Sequence, residues 1–364
     1  MMEKPDVFDY SSHLLHRLAR AHDPAAPLQI ELHPGLHCDL YRCPHCYGLG
    51  QAVLAGRPVT AAEIDSALAD IAAFRPTVIV SGITTEPLTN PDAAGIIRAI
   101  KRRNLTLGVY TKGRRLDQEM CDALVAPGGH TFVTLSLDGV TREEYISRHG
   151  LPEDRRDGLG GVGGGDYFHV VLDGLARLRA ARDAAGSQTE IRGAFLLFGD
   201  NAHEATIEAA LELYGSQVDL LRFALPQQRN DGAAPGALPE DPQACLERLE
   251  ARFRSEPKVR ILSQTSESTR DPFFNRCWAQ RFQVVIDKTG NVFPCPQVAV
   301  APHRGLSYGN IRTTRLSDLL TAQKRSDMFG FDVDTQMKCR ICDRKDEALN
   351  TTLSRLAMAF GAST

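Results

Sequence analysis

Short apolar runs rich in β-branched residues alternate with longer amphipathic stretches through the first two thirds of the chain, the pattern of repeated strand–helix units around a parallel sheet. Strands are predicted at Leu28–His33, Thr77–Ser81, Leu105–Thr111, Thr131–Leu137, Thr189–Phe198 and Val218–Ala224. Helical patterns fill the gaps at Ala61–Phe74, Ala93–Arg102, Leu116–Leu124, Val170–Ala184 and His203–Tyr214. Such units close most readily into a barrel or partial barrel, which works at the C-terminal ends of its strands.

The glycine-rich run Gly158–Gly165 lies between the fourth strand and the next helix. It lacks the strand, GxGxxG, helix context of a phosphate cradle and reads as a flexible lid or linker. Past Ala224 the composition turns to Pro, Gln, Asn, Gly and Ala through Pro239, which predicts a linker. Further on, Phe282–Ile286 and Asn291–Pro294 flank Asp287–Gly290, a hairpin whose tight turn uses the conformational freedom of Gly290. The expected fold class is α/β: a helical extension over 1–27, a barrel over 28–225, a linker and helix over 226–256, and a small α+β unit over 257–364.

A formal charge of −3 leaves no basic surplus for phosphates, so no nucleic-acid partner is expected. The first residues mix charged and apolar side chains without a long apolar core, so neither a signal peptide nor a membrane span is read there. The expected location is the cytoplasm. Seven of the nine cysteines fall into two closely spaced sets, which in a reducing compartment points to metal rather than disulfides.

The first set, Cys38, Cys43 and Cys46, has C-x4-C-x2-C spacing on the loop after the first strand. Thiolates are soft ligands suited to iron–sulfur clusters or zinc. Three ligands for a four-iron cluster leave one iron open to an outside ligand. A structural zinc loop completed by His33, His37 or His45 is the alternative.

This loop resembles that of the radical SAM (S-adenosylmethionine) superfamily, one residue longer than the usual C-x3-C-x2-C. Ser81–Leu88 (SGITTEPL) resembles the family's Gly-Gly-Glu-Pro loop with two residues inserted and the second Gly lost, so Gly82, Glu86 and Pro87 carry over as contacts to SAM. The resemblance covers about residues 28–225 and implies a partial (β/α)6 barrel. It places His45, flanked by Tyr47, near the adenine, and polar SAM contacts at Thr111 and Ser136, the ends of strands three and four. Arg192 on strand five joins the cofactor contacts; it and Arg222 on strand six are also candidates for a carboxylate, with surface ion pairing the default. The implied chemistry is reductive cleavage of SAM to a 5′-deoxyadenosyl radical that abstracts a substrate hydrogen.

The second set, Cys277-x12-Gly290-x4-Cys295 followed by Cys339-x2-Cys342, resembles the auxiliary-cluster region of radical SAM enzymes with SPASM or twitch domains. No cysteine follows Cys342, so four thiolates for one fully ligated [4Fe–4S] cluster fit the shorter twitch form. A zinc ribbon is the alternative. Trp278 is expected to shield the cluster.

Cys121 and Cys245, on predicted helices, are weak candidates for hydrogen-atom donors, with buried apolar packing the default. Tyr145, Arg148 and His149 follow strand four and are read as a solvated helix face in preference to a substrate contact. The expected function is radical C–H modification, by oxidation, of a small polar natural-product precursor, with an electron donor such as flavodoxin or ferredoxin. The alternatives are a peptide maturase performing crosslinking or epimerisation, and a non-catalytic iron–sulfur or zinc scaffold.

Overall fold

The structure is a computed structural model and describes residues 26–38, 42–46, 48, 55–151, 167–227, 234, 236–262, 274–339 and 342–359. The Gly158–Gly165 run, Tyr47, all but two residues of the 1–27 extension and much of the 226–239 linker lie outside the described residues.

Seven parallel strands follow one another in sequence order: β1 (Gln29–His33), β2 (Thr77–Val80), β3 (Leu107–Thr111), β4 (Thr131–Ser136), β5 (Glu190–Leu196), β6 (Leu220–Ala224) and β7 (Val259–Ile261). Between them run α1 (Ala61–Ala69), α2 (Ala93–Arg102), α3 (Gln118–Val125), α4 (Arg142–His149), α5 (Tyr167–Ala184), α6 (Glu204–Tyr214) and α7 (Pro242–Phe253). With strands in sequence order, right-handed crossovers place every helix on one face of the sheet. That face is apolar and closed: Leu107, Val109, Val133, Leu135, Ile191, Leu221 and Phe223 are 0% exposed.

The opposite face carries the polar residues of these strands among apolar ones such as Ile79 and Phe132. Glu31, His33, Ser81, Thr134, Arg192 and Arg222 are nevertheless buried. A polar sheet face with no helix layer is buried when the sheet curls round on itself, giving the expected partial barrel with a polar lumen.

Three features differ from the sequence reading. The gap between β4 and β5 holds two helices, because Thr141 and Glu144 form a reciprocal capping box that starts α4, and Gly150 ends it in the left-handed conformation. Helix α7, capped by Asp241 with Pro242 in its first turn, crosses over to a seventh parallel strand, β7, beside β6. Finally, the hairpin of β8 (Gln283–Asp287) and β9 (Asn291–Phe293) joins the barrel sheet: β8 pairs parallel with β1, Ile30 opposite Val284 and Leu32 opposite Ile286.

A two-residue strand, β10 (Gly309–Asn310), completes one ten-stranded sheet. Gly290 turns the hairpin at φ +85°. Helices α8 (Leu316–Thr321), α9 (Gln323–Met328) and α10 (Arg344–Ala359) follow. No helix among the described residues is long and apolar enough to cross a membrane.

Candidate cofactor and substrate site

The first three cysteines lie on the loop leaving β1, at the C-terminal rim of the barrel. That loop is sewn to the one leaving β2. The Glu86 N–H donates to the His37 carbonyl at 2.9 Å, the Leu36 N–H donates to Thr89 Oγ1 at 2.8 Å, and the Asn90 amide donates to the Pro34 carbonyl at 3.0 Å. Gly48 and Gly82 allow the close approach, since a Cβ would stand 2.2 Å from the Ile83 carbonyl oxygen at one and 2.3 Å from that of Thr85 at the other.

Cys43 is buried and Cys38 and Cys46 are half-buried. Burial pushes the Cys38 thiol up to about 12; Lys112 opposes this, while Glu86, Cys43 and Cys46 add to it. Burial also raises the Cys43 thiol, again against Lys112. Three thiols near enough for their thiolate forms to repel one another, none in a disulfide, are a donor set whose charge a metal centre would neutralise. Among the described residues no three His, Cys, Asp or Glu side chains already surround a single ion site. An iron–sulfur cluster, whose ligands bind separate irons, fits the donor chemistry of three thiols carried on one loop.

Beneath the loop lies a buried charged group. The Glu86 carboxylate accepts from Thr111 Oγ1 at 2.5 Å and from the Lys112 N–H at 2.9 Å, bracing the β2 loop against the end of β3. Burial raises its pKa despite these bonds. Pro87 is buried in the short turn that follows, and Ser136 is half-buried at the end of β4. Asp138, left-handed at φ +47°, lies 3.2 Å from His149 Nε2 and 3.9 Å from Lys112 Nζ, and accepts from the Leu196 N–H at 2.8 Å. Burial works against its ionisation, but His149 and Lys112 hold its pKa well below the usual range. Lys112 itself is held above its ordinary value by Cys43 and Asp138, against the penalty of burial.

Burial brings the His45 imidazole down to about 4, and its ring sits 5.5 Å from that of Phe198 and 6.5 Å from that of His149.

Tyr145 and His149 are not a solvated face: they are 1% and 0% exposed. They pack inward because α4 lies over the cysteine loop, where the Arg42 N–H donates to the His149 carbonyl at 3.0 Å. Arg148 pairs with Asp200 at 2.5 Å and stacks 4.5 Å over Phe198. The grouping of Lys112, Asp138 and His149 was not singled out from sequence; the available signal was that Lys112 and Asp138 immediately follow Thr111 and Ser136–Leu137 at the ends of β3 and β4.

In the lumen, Glu31 accepts from Ser81 Oγ at 2.6 Å and lies 2.9 Å from His33 Nε2. Arg192 stacks 4.3 Å over Phe132 and pairs with Glu190 at 2.8 Å. Arg192 Nε and Thr134 Oγ1, register neighbours on β5 and β4, are buried without hydrogen-bond partners among the described residues. Arg222 stands one register step nearer the rim, opposite Ala194.

Cys121 and Cys245 lie in the helical layer. Their thiols approach the Leu116 and Ala202 carbonyls at 3.6 and 3.3 Å respectively, consistent with packing.

The second set gathers where the hairpin meets the C-terminal segment. Cys277 precedes the turn Ala279–Arg281, and Cys295 ends β9's extension. Cys339 is tied back by its N–H to the Val333 carbonyl at 2.8 Å. Phe274, Val333 and Met337 pack against Cys277, Cys339 and Cys342. Burial raises the Cys295 thiol well above its ordinary value, and Cys339 and Cys277 add to the rise. Cys342 behaves alike, with Asp346, Cys277 and Cys295 adding to burial. Trp278 packs in the apolar cluster with Cys277, Leu349 and Leu353, and its indole N–H donates to Ser354 Oγ at 3.2 Å. Four free thiols from three segments, Cys295 buried and the other three half-buried, fit a closed, fully ligated cluster.

Residues 34–204 match the radical SAM superfamily, and residues 277–343 match SPASM, an iron–sulfur cluster-binding domain. The AdoMet-dependent heme synthase of Methanosarcina barkeri is 29% identical over 126 residues, 34% of this chain and 35% of that protein, so the alignment spans about a third of the relative. Streptococcus suis SuiB bound to S-adenosylmethionine superposes with a TM-score of 0.59 at 12% identity, covering 94% of this chain and 79% of that one. anSMEcpe with bound AdoMet gives 0.56 at 15%, covering 92% and 98%. SuiB has also been solved with the precursor peptide SuiA, and anSMEcpe with a Cp18Cys peptide. Likeness at this level of identity is likeness of fold.

Proposed function

We propose a reaction for what is, by its two matched domains, a radical SAM enzyme with a C-terminal SPASM-type cluster domain: net oxidation at a C–H bond of a carboxylate-bearing substrate held in the barrel lumen. The observation that supports it is the pairing of an open three-thiol set at the rim with a four-thiol set gathered beside the hairpin that joins the same sheet. When bound, a [4Fe–4S] cluster with SAM supplies a 5′-deoxyadenosyl radical that takes a hydrogen atom, and a second cluster supplies an acceptor for the electron that completes the oxidation.

The chain's own residues hold, orient and shield. Cys38, Cys43 and Cys46 hold the first cluster, and Cys277, Cys295, Cys339 and Cys342 the second. The backbone of Gly82 to Pro87, fixed by the buried Glu86 brace, lines the SAM pocket with His45, Thr111 and Ser136. Thr111 is partly committed already, its hydroxyl being bonded to Glu86. In the lumen, Arg192 Nε and Thr134 Oγ1 receive a substrate carboxylate with Arg222 beside them, because buried donors without partners are costly until a ligand satisfies them.

The first reading is a small polar metabolite whose carboxylate pairs with Arg192 and Thr134. A peptide side chain is the second reading, favoured by the two fold neighbours solved with peptides. Anaerobic incubation of the loaded enzyme, SAM and a flavodoxin or ferredoxin with size-fractionated extracts tests both. A product lighter by two hydrogens (about 2 Da), formed in step with 5′-deoxyadenosine, is expected. An unchanged product mass would replace oxidation with epimerisation, and the active fraction's size separates metabolite from peptide.

A further inference from the structure

We propose that the side-chain amide of Asn350 donates hydrogen bonds to the second cluster through the sulfurs of Cys277 and Cys342 and thereby raises that cluster's reduction potential. The inference rests on the reading of the four-cysteine set as an iron–sulfur site.

Asn350 lies on α10, outside the matched residues 277–343, and is 1% exposed. Its Oδ1 accepts two backbone N–H groups, from Trp278 at 2.7 Å and Ala279 at 2.9 Å. Two donors at one atom fix the orientation of the amide, because an NH2 group cannot accept them. The NH2 end is thereby turned to the cysteines, with Nδ2 3.8 Å from Cys277 Sγ and 3.8 Å from Cys342 Sγ. One amide has two hydrogens, one for each sulfur. The two sulfurs belong to segments far apart in the chain, so this single residue is both a clasp between them and the positive end of a dipole beside them.

Electrostatics gives the sign. Reduction adds negative charge to the cluster, and a donor fixed beside its sulfurs stabilises the reduced form more than the oxidised one. Burial removes water that would otherwise supply the same bonds. Asp346, one turn earlier on α10, acts in the opposite sense: its carboxylate accepts from Gln283 Nε2 at 2.6 Å and places a negative charge on the helix face that carries Asn350. The donor offsets that charge and suits the cluster to accept an electron, which makes Asn350 a positioning and tuning residue.

The test uses the full-length C38A/C43A/C46A protein, anaerobically reconstituted, so that only the second cluster contributes signals. With Asn350→Leu in that background the midpoint potential should fall by about tenfold in the reduction equilibrium, some 59 mV for one electron. The shift of the Fe–S(Cys) stretching bands in deuterated water should shrink as well. Asn350→Asp keeps the acceptor for Trp278 and Ala279 and serves if the leucine variant loses its iron; its midpoint should fall at least as far. An unchanged midpoint in an iron-loaded variant overturns the proposal. Failure of the parent protein to bind iron at all would instead overturn the cluster reading on which it rests.

Discussion

Gly150 and Gly186 offer a paired perturbation that isolates the contact holding the first cysteine loop. Both adopt the left-handed conformation at φ +58°. A Cβ on Gly186 would meet nothing within 4 Å, whereas one on Gly150 would lie 2.3 Å from the Arg42 carbonyl oxygen, next to Cys43. Gly186→Ala therefore incurs only left-handed strain, about 1 kcal/mol once the stiffer unfolded chain is allowed for. Gly150→Ala adds an overpacking term of about 1–3 kcal/mol, since the Arg42 backbone must retreat by roughly 0.7 Å to bring the contact to 3.0 Å. The expected losses are about 1 and about 2–4 kcal/mol, read from urea unfolding of the iron-free, reduced protein. Because the retreat displaces the residue before a ligand, iron release from the first cluster should also accelerate in Gly150→Ala alone. Equal losses, with unchanged iron release, would refute the close packing of α4's end on the cysteine loop.

Replacing Cys295 with Ala should leave reductive SAM cleavage intact while product formation is lost; full turnover without the second cluster would contradict its assigned role. Lys112→Met removes the cation beside Cys43 and Asp138 and should lower the midpoint of the first cluster, followed by potentiometric EPR, while Lys112→Arg restores part of it. Lys101 is buried, donating to the Leu124 carbonyl and Thr131 Oγ1 at 2.8 Å each, and burial lowers its pKa to about 8. Between about pH 8 and 10.5 the unfolded chain then binds more protons at this site, so stability relative to Lys101→Met should rise with pH, by at most about 1.4 kcal/mol per unit. A flat difference would show the ammonium to be solvated.

Much of the barrel was legible because its signals are local. Apolar β-branched runs located β1 to β6 to within a few residues, and cysteine spacing marked both thiol sets. What escaped was either short or distant. Strand β7 has three residues and α4 has eight; the latter's charged sequence hides the buried Tyr145 and His149, four apart on its inner face. The capping box at Thr141 and the terminal Gly150 were the available signals for α4. The parallel pairing of β8 with β1 joins segments about 250 residues apart, and no local pattern encodes such a partner. Lys112, Asp138 and His149 meet only because the segments leaving β3 and β4 and the end of α4 fold over the same rim, and the two unpartnered lumen atoms emerge only from the register of β4 and β5.

The central claim, one open and one closed cluster on a single sheet, is tested most directly by iron counting joined to SAM cleavage. Anaerobically reconstituted wild-type protein should bind about eight irons and release 5′-deoxyadenosine under dithionite, and the C38A/C43A/C46A protein should keep about four and release none. One tightly bound zinc with no iron, or cleavage surviving without the three rim cysteines, would contradict the account.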